Sequence, residues 1–142
     1  MKIIKATKKD IKDISEIERD SGYLLGSKQL VEEINRVEKE LKKGVEFFLA
    51  KENKKSLGYV SLKDNEIWYL SVRKKFHSKG VGSKLMNFIE GHAKRKGFKE
   101  LILGVHPGNF NAITFYTKRR YFVYKIKKGY YSTGESKIFM KK

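Results

Sequence analysis

The sequence predicts a mixed α/β (α+β) fold: one mixed but mostly antiparallel sheet of about seven strands with four helices, in the order βααβββαβαββ. Three observations predict it. Apolar residues recur at helical spacing in runs such as Leu30, Val31, Ile34, Val37 and Leu41. Three strand-like runs between residues 45 and 72 are separated by short polar turns. From Glu66 to Val105 a strand, a helix and a strand follow one another, which calls for a parallel crossover unit inside an otherwise antiparallel sheet.

Lys2 to Ala6 reads as the first strand. Thr7, followed three residues later by Asp10, is a capping-box signal for a helix with Ile11, Ile14 and Ile17 on one face, ended by Gly22. Ser27 is the expected cap of a second helix, which closes with Lys42, Lys43 and Gly44. Val45–Lys51, Leu57–Leu62 and Glu66–Val72 are the next strands, joined by hairpin turns at Asn53-Lys54-Lys55-Ser56 and Lys63-Asp64-Asn65. Val81, Leu85, Phe88, Ile89 and Ala93 mark a third helix closed by Gly97, with His92 on its surface. Glu100–Val105 is a strand, Asn111 to about Arg119 a short helix, and Tyr121–Ile126 with Ser136–Lys141 the final strand pair.

A chain of 142 residues that is 39% apolar and 13% aromatic can bury a core as a single domain spanning 1–142. Cysteine is absent, which removes disulfides, thiolate metal sites and a cysteine acyl-enzyme. No apolar run exceeds four residues, so no membrane partner is expected and the cytoplasm is the default address. The net charge of +17 is concentrated, because residues 73–99 carry nine Lys/Arg against Glu90 and residues 117–142 carry nine against Glu135. Such segments suit nucleic acid or the ribosome, or a small polyphosphate, or only a solvated surface.

Residues 72–84 lead from a strand into a helix, with Gly80 and Gly82 where backbone must approach something closely and free amides suit a phosphate. The segment lacks the spacing of a Walker loop or a dinucleotide fingerprint, and a plain tight turn explains two glycines equally well. The three histidines, His77, His92 and His106, form no metal spacing, so no metal is expected.

His77-Ser78-Lys79-Gly80-Val81-Gly82, preceded by the strand Ile67–Val72, resembles the pyrophosphate loop of the GNAT superfamily of N-acetyltransferases, which reads Arg or Gln, x, x, Gly, x, Gly or Ala. Asn109-Phe110-Asn111-Ala112-Ile113-Thr114-Phe115-Tyr116-Thr117-Lys118 is similar to a later helix of the same superfamily. Two positions depart from the pattern: His77 replaces Arg or Gln, and Arg120, in place of Gly, implies a different local turn. The resemblance implies acetyl-CoA as cofactor, with its pantetheine arm along the strand at Leu70, Ser71 and Val72. It implies pyrophosphate contacts from His77, Ser78, Lys79, Gly80, Val81, Gly82, Ser83 and Lys84, with Asn109, Asn111 and Tyr116 lining the cofactor. Arg73, Lys74, Lys75, Lys79 and Lys84 would supply a positive field.

By the same resemblance Tyr116 is the acid for the departing thiolate, the alternative being an aromatic packed beside Phe115. Glu66, eleven residues before His77, is the general base, the alternative being an exposed charge beside a turn. Strand alternation puts Glu66, Trp68, Leu70 and Val72 on one face, and His106 is the alternative base. The tail from Lys128 to Met140 resembles the closing hairpin of the ribosomal-protein-alanine and protein N-terminal acetyltransferases, whose Tyr-Tyr pair, Gly-acid turn and Met-bearing strand shape a peptide slot. That branch has an acidic residue where this chain has Gly104, and a Pro-Trp-Ser segment where it has Leu25-Gly26-Ser27. The acceptor expected is a primary amine, first a protein N-terminus or ribosomal protein, with small amines and protein lysines as alternatives. A catalytically idle, RNA-binding or ribosome-binding module is the contrasting reading.

Overall fold

The computed structural model of the protein describes residues 1–21 and 29–142, so the expected helix end at Gly22, the cap at Ser27 and the Leu25-Gly26-Ser27 segment lie outside the described residues. Seven strands, β1 (Lys2–Lys5), β2 (Glu46–Glu52), β3 (Lys55–Lys63), β4 (Glu66–Val72), β5 (Ile102–Val105), β6 (Phe122–Lys127) and β7 (Lys137–Lys141), form one sheet in the order β1-β2-β3-β4-β5-β7-β6. The β4–β5 pair is parallel and the other pairs are antiparallel. Four helices accompany the sheet: α1 (Ile11–Asp20), α2 (Leu30–Lys42), α3 (Val81–Arg95) and α4 (Phe110–Lys118).

Local chemistry accounts for the boundaries. Thr7 and Asp10 form the capping box, although what they cap is a 3-10 turn at Lys8–Asp10 that leads into α1. Helix α2 ends in a Schellman motif, with Gly44 at φ 89° and the Val45 amide donating to the Glu40 carbonyl at 3.0 Å. Gly97, at φ 93°, ends α3 in the same way, with the Phe98 amide on the Ala93 carbonyl at 3.1 Å. Arg120 corrects an expectation. At φ 73°, with the Tyr121 amide on the Tyr116 carbonyl at 3.0 Å, it adopts the left-handed turn that a glycine would, so the turn is the usual one with a side chain forced into it. Asn53 and Asp64 hold the two hairpin turns at φ 58° and 55°.

Both faces of the sheet are covered. Leu85, Met86, Ile89 and Ala93 of α3 pack on Phe48, Val60, Leu62, Leu103 and Met140. Ile14 and Ile17 of α1 and Val37 of α2 pack on Phe47, Leu49 and Tyr59 from the other side. Met140 is therefore a core residue, 1% exposed, rather than the wall of a peptide slot. His92 is half-buried at the rim of α3: its ring lies edge-on 4.9 Å from Phe48, and Nε2 is 3.2 Å from the Glu46 carboxylate. Strand β6 is exposed along its whole length at the sheet edge.

Candidate active site

Strands β4 and β5 pair only at Glu66–Ile102 and Ile67–Leu103, after which they part. The cause is visible in the pairing. β5 stays with β7 through Val105, while β4 stays with β3 through Val72, and a bulge in β4 turns it at the parting point. Ser61 faces Tyr69 and Leu62 faces Ile67, leaving Trp68 as the extra residue. The bulge overturns the simple alternation expected for this strand. Ile67, not Trp68, joins Leu70 and Val72 on the α3 side, while Trp68 is exposed and Tyr69 packs on the α1–α2 side.

The same strand presents its backbone to the opening. The Arg73 amide donates to the Leu57 carbonyl of β3 at 2.9 Å, so alternation of peptide groups turns those of Val72 and Leu70 away from β3, toward the gap. His77 Nε2 lies 2.8 Å from the Val72 carbonyl at this edge. That bond directs one ring nitrogen to β4, so the expected donation from His77 to a phosphate is not through Nε2. Ser71, between the two, is buried with its hydroxyl donating to the Glu18 carboxylate, 2.5 Å away. It anchors the strand from beneath and does not face the gap.

Beyond β4 the chain makes a 3-10 turn at Lys74–Phe76 and enters α3 through Ser78, at φ 62°, and Gly80, at φ 83°. Alternating handedness curls successive amides toward one point. Among the described residues, none of the amides of Ser78, Lys79, Gly80, Val81, Gly82 and Ser83 donates to a backbone carbonyl; the first turn closes with Lys84 on Gly80 at 3.1 Å. No acidic residue stands in that turn. Free amides, the positive helix end and the exposed Lys74, Lys75, Lys79 and Lys84 together fit a phosphate group. Arg73 does not take part: its Nε donates to the Ser56 carbonyl at 2.8 Å, and its other nitrogens lie toward Asp20 and Glu16. A Cβ at Gly80 would meet nothing within 4 Å, so glycine is needed there for φ and not for space. At Gly82 it would meet Phe115 at 3.7 Å, an ordinary contact.

Helix α4 carries Tyr116 into the α3-side core. The side chain is buried, with ring centroids 5.2 Å from Phe115 and 5.6 Å from Tyr121. Burial first, then its 2.7 Å bond to Glu90, holds the Tyr121 phenol well above its ordinary pKa, so Tyr121 is a structural donor. Asn109 is the N-cap of α4, its Oδ1 accepting from the Ala112 amide at 3.1 Å, which gives the expected cofactor residue a folding role as well. Asn111 is exposed on the first turn of the helix.

Across the gap, Glu66 is half-buried at the start of β4 and pairs with Ile102. Ile67 and Leu103 belong to the α3-side core, so alternation places Glu66, Ile102 and Gly104 on the opposite face. One group that the sequence reading passed over, Lys137, lies on this face beside Tyr130 of the expected closing hairpin. The Lys137 stem crosses the space a Cβ on Gly104 would fill. Its Nζ donates to the Tyr130 hydroxyl at 3.2 Å. Glu135 accepts from His106, whose Nδ1 in turn takes the Gly108 amide at 2.9 Å, so His106 is held as a Glu135-paired imidazole beside Tyr131. A lone glycine in a strand, directly before Val105, was the one signal that a side chain from elsewhere approaches. Among the described residues no cluster of three or more acidic or histidine side chains could hold a metal, and no helix is long and apolar enough to cross a membrane.

Residues 11–121 match the model of the acetyltransferase (GNAT) family. No curated protein matches the chain. Solved structures similar in fold include the ribosomal-protein-alanine N-acetyltransferase from Brucella melitensis, at 18% identity and TM-score 0.78, covering 100% of this chain and 99% of that one. Another is yncA from Salmonella typhimurium, solved with its cofactor acetyl-CoA, at 20% identity and TM-score 0.76, covering 100% and 92%. The paia N-acetyltransferase from Thermoplasma acidophilum, in complex with coenzyme A, matches at 21% identity and TM-score 0.78, covering 99% and 97%. With the parted strands, the amide-lined turn and a family match across most of its length, the chain belongs to the GNAT family of acetyltransferases.

Proposed function

We propose that the protein, as one catalytic domain over residues 1–142, moves an acetyl group from acetyl-CoA to a primary amine, the α-amine of a protein N-terminus, a ribosomal protein being one such acceptor. The observation that carries this is the parting of β4 and β5 directly beside the amide-lined entry to α3. Bound acetyl-CoA supplies a thioester-activated acetyl group. The backbone of Leu70 and Val72 offers hydrogen bonds along the gap, and the amides from Ser78 to Ser83, with Lys84 and the helix end, offer the phosphate cradle. On the acceptor side the Glu66 carboxylate takes the proton of the amine, directly or through water. On the other side the Tyr116 hydroxyl gives a proton to the departing sulfur, its burial keeping bulk water away from that transfer.

The test has two stages. Acetyl-CoA binds with stoichiometry near one and raises the melting temperature, as a ligand of the folded state must. A pH–rate series on Glu66→Gln and Tyr116→Phe, against N-terminal peptides, lysine peptides, polyamines and aminoglycosides with products located by mass spectrometry, then separates the roles. Glu66→Gln costs most below the pKa of the acceptor amine, and Tyr116→Phe slows turnover roughly 10²-fold at every pH with little change in cofactor affinity. Wild-type rates in Glu66→Gln at low pH would move the base to His106.

One observation favours a second reading, an idle module that binds RNA: exposed β6 interleaves Phe122, Tyr124 and Ile126 with Lys125 and Lys127. Absence of acetyl-CoA binding together with retention on RNA above about 0.2 M salt would select it.

A further inference from the structure

Lys137 opens β7 and its side chain runs back over β5, where the position of a Gly104 Cβ lies 2.9 Å from Nζ and closer still to the stem. Gly104 is the first residue of β5 past the last β4–β5 pair, so the ammonium stands at the mouth of the gap, at the level of Trp68. Glu66 is on the same face of the adjoining strand. Strand spacing of about 4.8 Å and a rise of about 3.3 Å per residue put its Cα roughly 8 Å from that of Gly104.

The groups in contact with the ammonium are aromatic, and two further lysines share those rings. Nζ bonds the Tyr130 hydroxyl at 3.2 Å and lies 4.3 Å and 5.2 Å from the ring centres of Tyr130 and Phe139. Lys125 stands over Phe139 and Lys127 over Tyr130, at 5.4 and 5.6 Å. Among the described residues no carboxylate pairs with Lys137, Lys125 or Lys127, and the one acid of this hairpin, Glu135, is engaged by His106 and Thr133. The rings hold the lysine stem in place without neutralising it. A half-buried cation fixed at a cleft mouth, with a hydroxyl beside it and no carboxylate paired to it among the described residues, is a receptor for an anion.

We propose that Lys137, with the Tyr130 hydroxyl, binds a carboxylate of the acceptor, so that the amines this enzyme favours carry an acidic group within the first two residues of a peptide N-terminus. The inference rests on the transferase reading above and names its substrate class. It also explains Gly104, because any side chain there would push the Lys137 stem off the strand.

The experiment is a calorimetric titration of the protein, with coenzyme A present, using peptides that carry Asp or Glu at position one or two and their Asn or Gln isosteres. The acidic peptides bind roughly tenfold more tightly. Lys137→Gln removes the difference, Lys137→Arg keeps it, and Gly104→Ala, which displaces the stem but leaves the charge, reduces it. Equal affinity for acid and amide in the unmodified protein, or a difference that survives Lys137→Gln, overturns the proposal. A parallel arm with free glutamate against glutamine tells the source: a gain shared by the free amino acid places the acceptor among amino acids, and a gain confined to peptides places it among protein N-termini. Turnover of the same peptides separates the two readings. Preferential binding without product leaves the carboxylate site standing and removes the transferase reading, while product without acidic preference does the reverse.

Discussion

Under α3 the sheet is sealed by apolar side chains and its charges sit at the rim, with Glu46 against Lys96 and His92 at one side and Glu90 against Arg119 and Lys142 at the other. Under α1 and α2 the charges are in the middle. Glu18 is 5% exposed and accepts from the Tyr59 hydroxyl at 2.6 Å and the Ser71 hydroxyl at 2.5 Å. Arg36 bonds Glu33, Glu40 and Tyr59 and lies 4.1 Å over the Tyr69 ring. Burial and the Glu18 charge push the Tyr59 phenol well above its ordinary pKa, so it stays a donor. Ser71 and Tyr69 lie in the stretch of β4 that has lost β5. A strand that gives up its partner on one edge to make a binding gap is here pinned through its side chains from below, and the polar network sits where that pinning is needed.

The largest effects should separate these two faces. Glu18→Ala leaves two buried hydroxyls without an acceptor and costs about 3–5 kcal/mol, comparable to breaking a buried pair. Ile89→Ala, at a fully buried site of α3, costs about 2–4 kcal/mol through the cavity it leaves. The readout that tells them apart is coenzyme A affinity measured well below each melting temperature. It falls several-fold in Glu18→Ala, because Ser71 no longer fixes β4, and holds in Ile89→Ala. If both variants lose stability and neither loses affinity, the network is only a folding device.

The entry to α3 gives a smaller and more local contrast. Gly80→Ala forces a side chain into φ 83° at a cost of about 1–2 kcal/mol and re-aims the amides, so cofactor binding weakens with stability. Gly82→Ala meets Phe115 and Val72 only at ordinary contact distances and should be close to neutral in both. Calorimetry on the pair checks this, and equal losses would mean that close approach to the ligand, not backbone handedness, governs the turn.

Much of this architecture was legible in the residue pattern, and the exceptions have physical causes. Helix α3 and the β2–β3–β4 meander were readable because apolar periodicity and turn residues agree over long stretches, and the turn into α3 because glycine carries backbone information directly. The bulge at Trp68 was not, since one extra residue in a strand leaves no mark in the pattern of the strand itself; it exists only relative to β3. Nor was the Glu18–Tyr59–Ser71 network, whose members are 12 to 53 residues apart and read individually as surface polar groups. Arg120 misled in the opposite sense, because a left-handed turn tolerates a non-glycine at a cost the surrounding helix end absorbs. The cap at Asn109 was overlooked because the residue stands next to a recognisable motif. Long-range pairing, not local preference, is what the bulge and the Glu18 network share.

The smallest contrast is in acid. Burial alone would raise the Glu46 carboxyl, but hydrogen bonds and charge from Lys96 and His92 outweigh it and bring the pKa from 4.5 down to about 2. A carboxyl depressed in the folded state contributes stability that is complete above its unfolded pKa and is lost as pH falls through the folded one, here between about pH 5 and 2. The pairs stand at the rim and are screened by solvent, so the contribution is about 1 kcal/mol, or a melting shift of about 3 °C. Glu40, on the other face, has the opposite sign: burial raises it and Arg36 only partly offsets this, so its contribution is present below the unfolded value and declines as pH rises through the folded one. Melting temperature followed from pH 6 to 2 should therefore fall less steeply in Glu46→Gln than in the unmodified protein and more steeply in Glu40→Gln, with added salt shrinking the first difference more than the second. Matching slopes in the two variants would mean that rim and centre respond to acid alike, and the division between the two faces would then lie in packing alone.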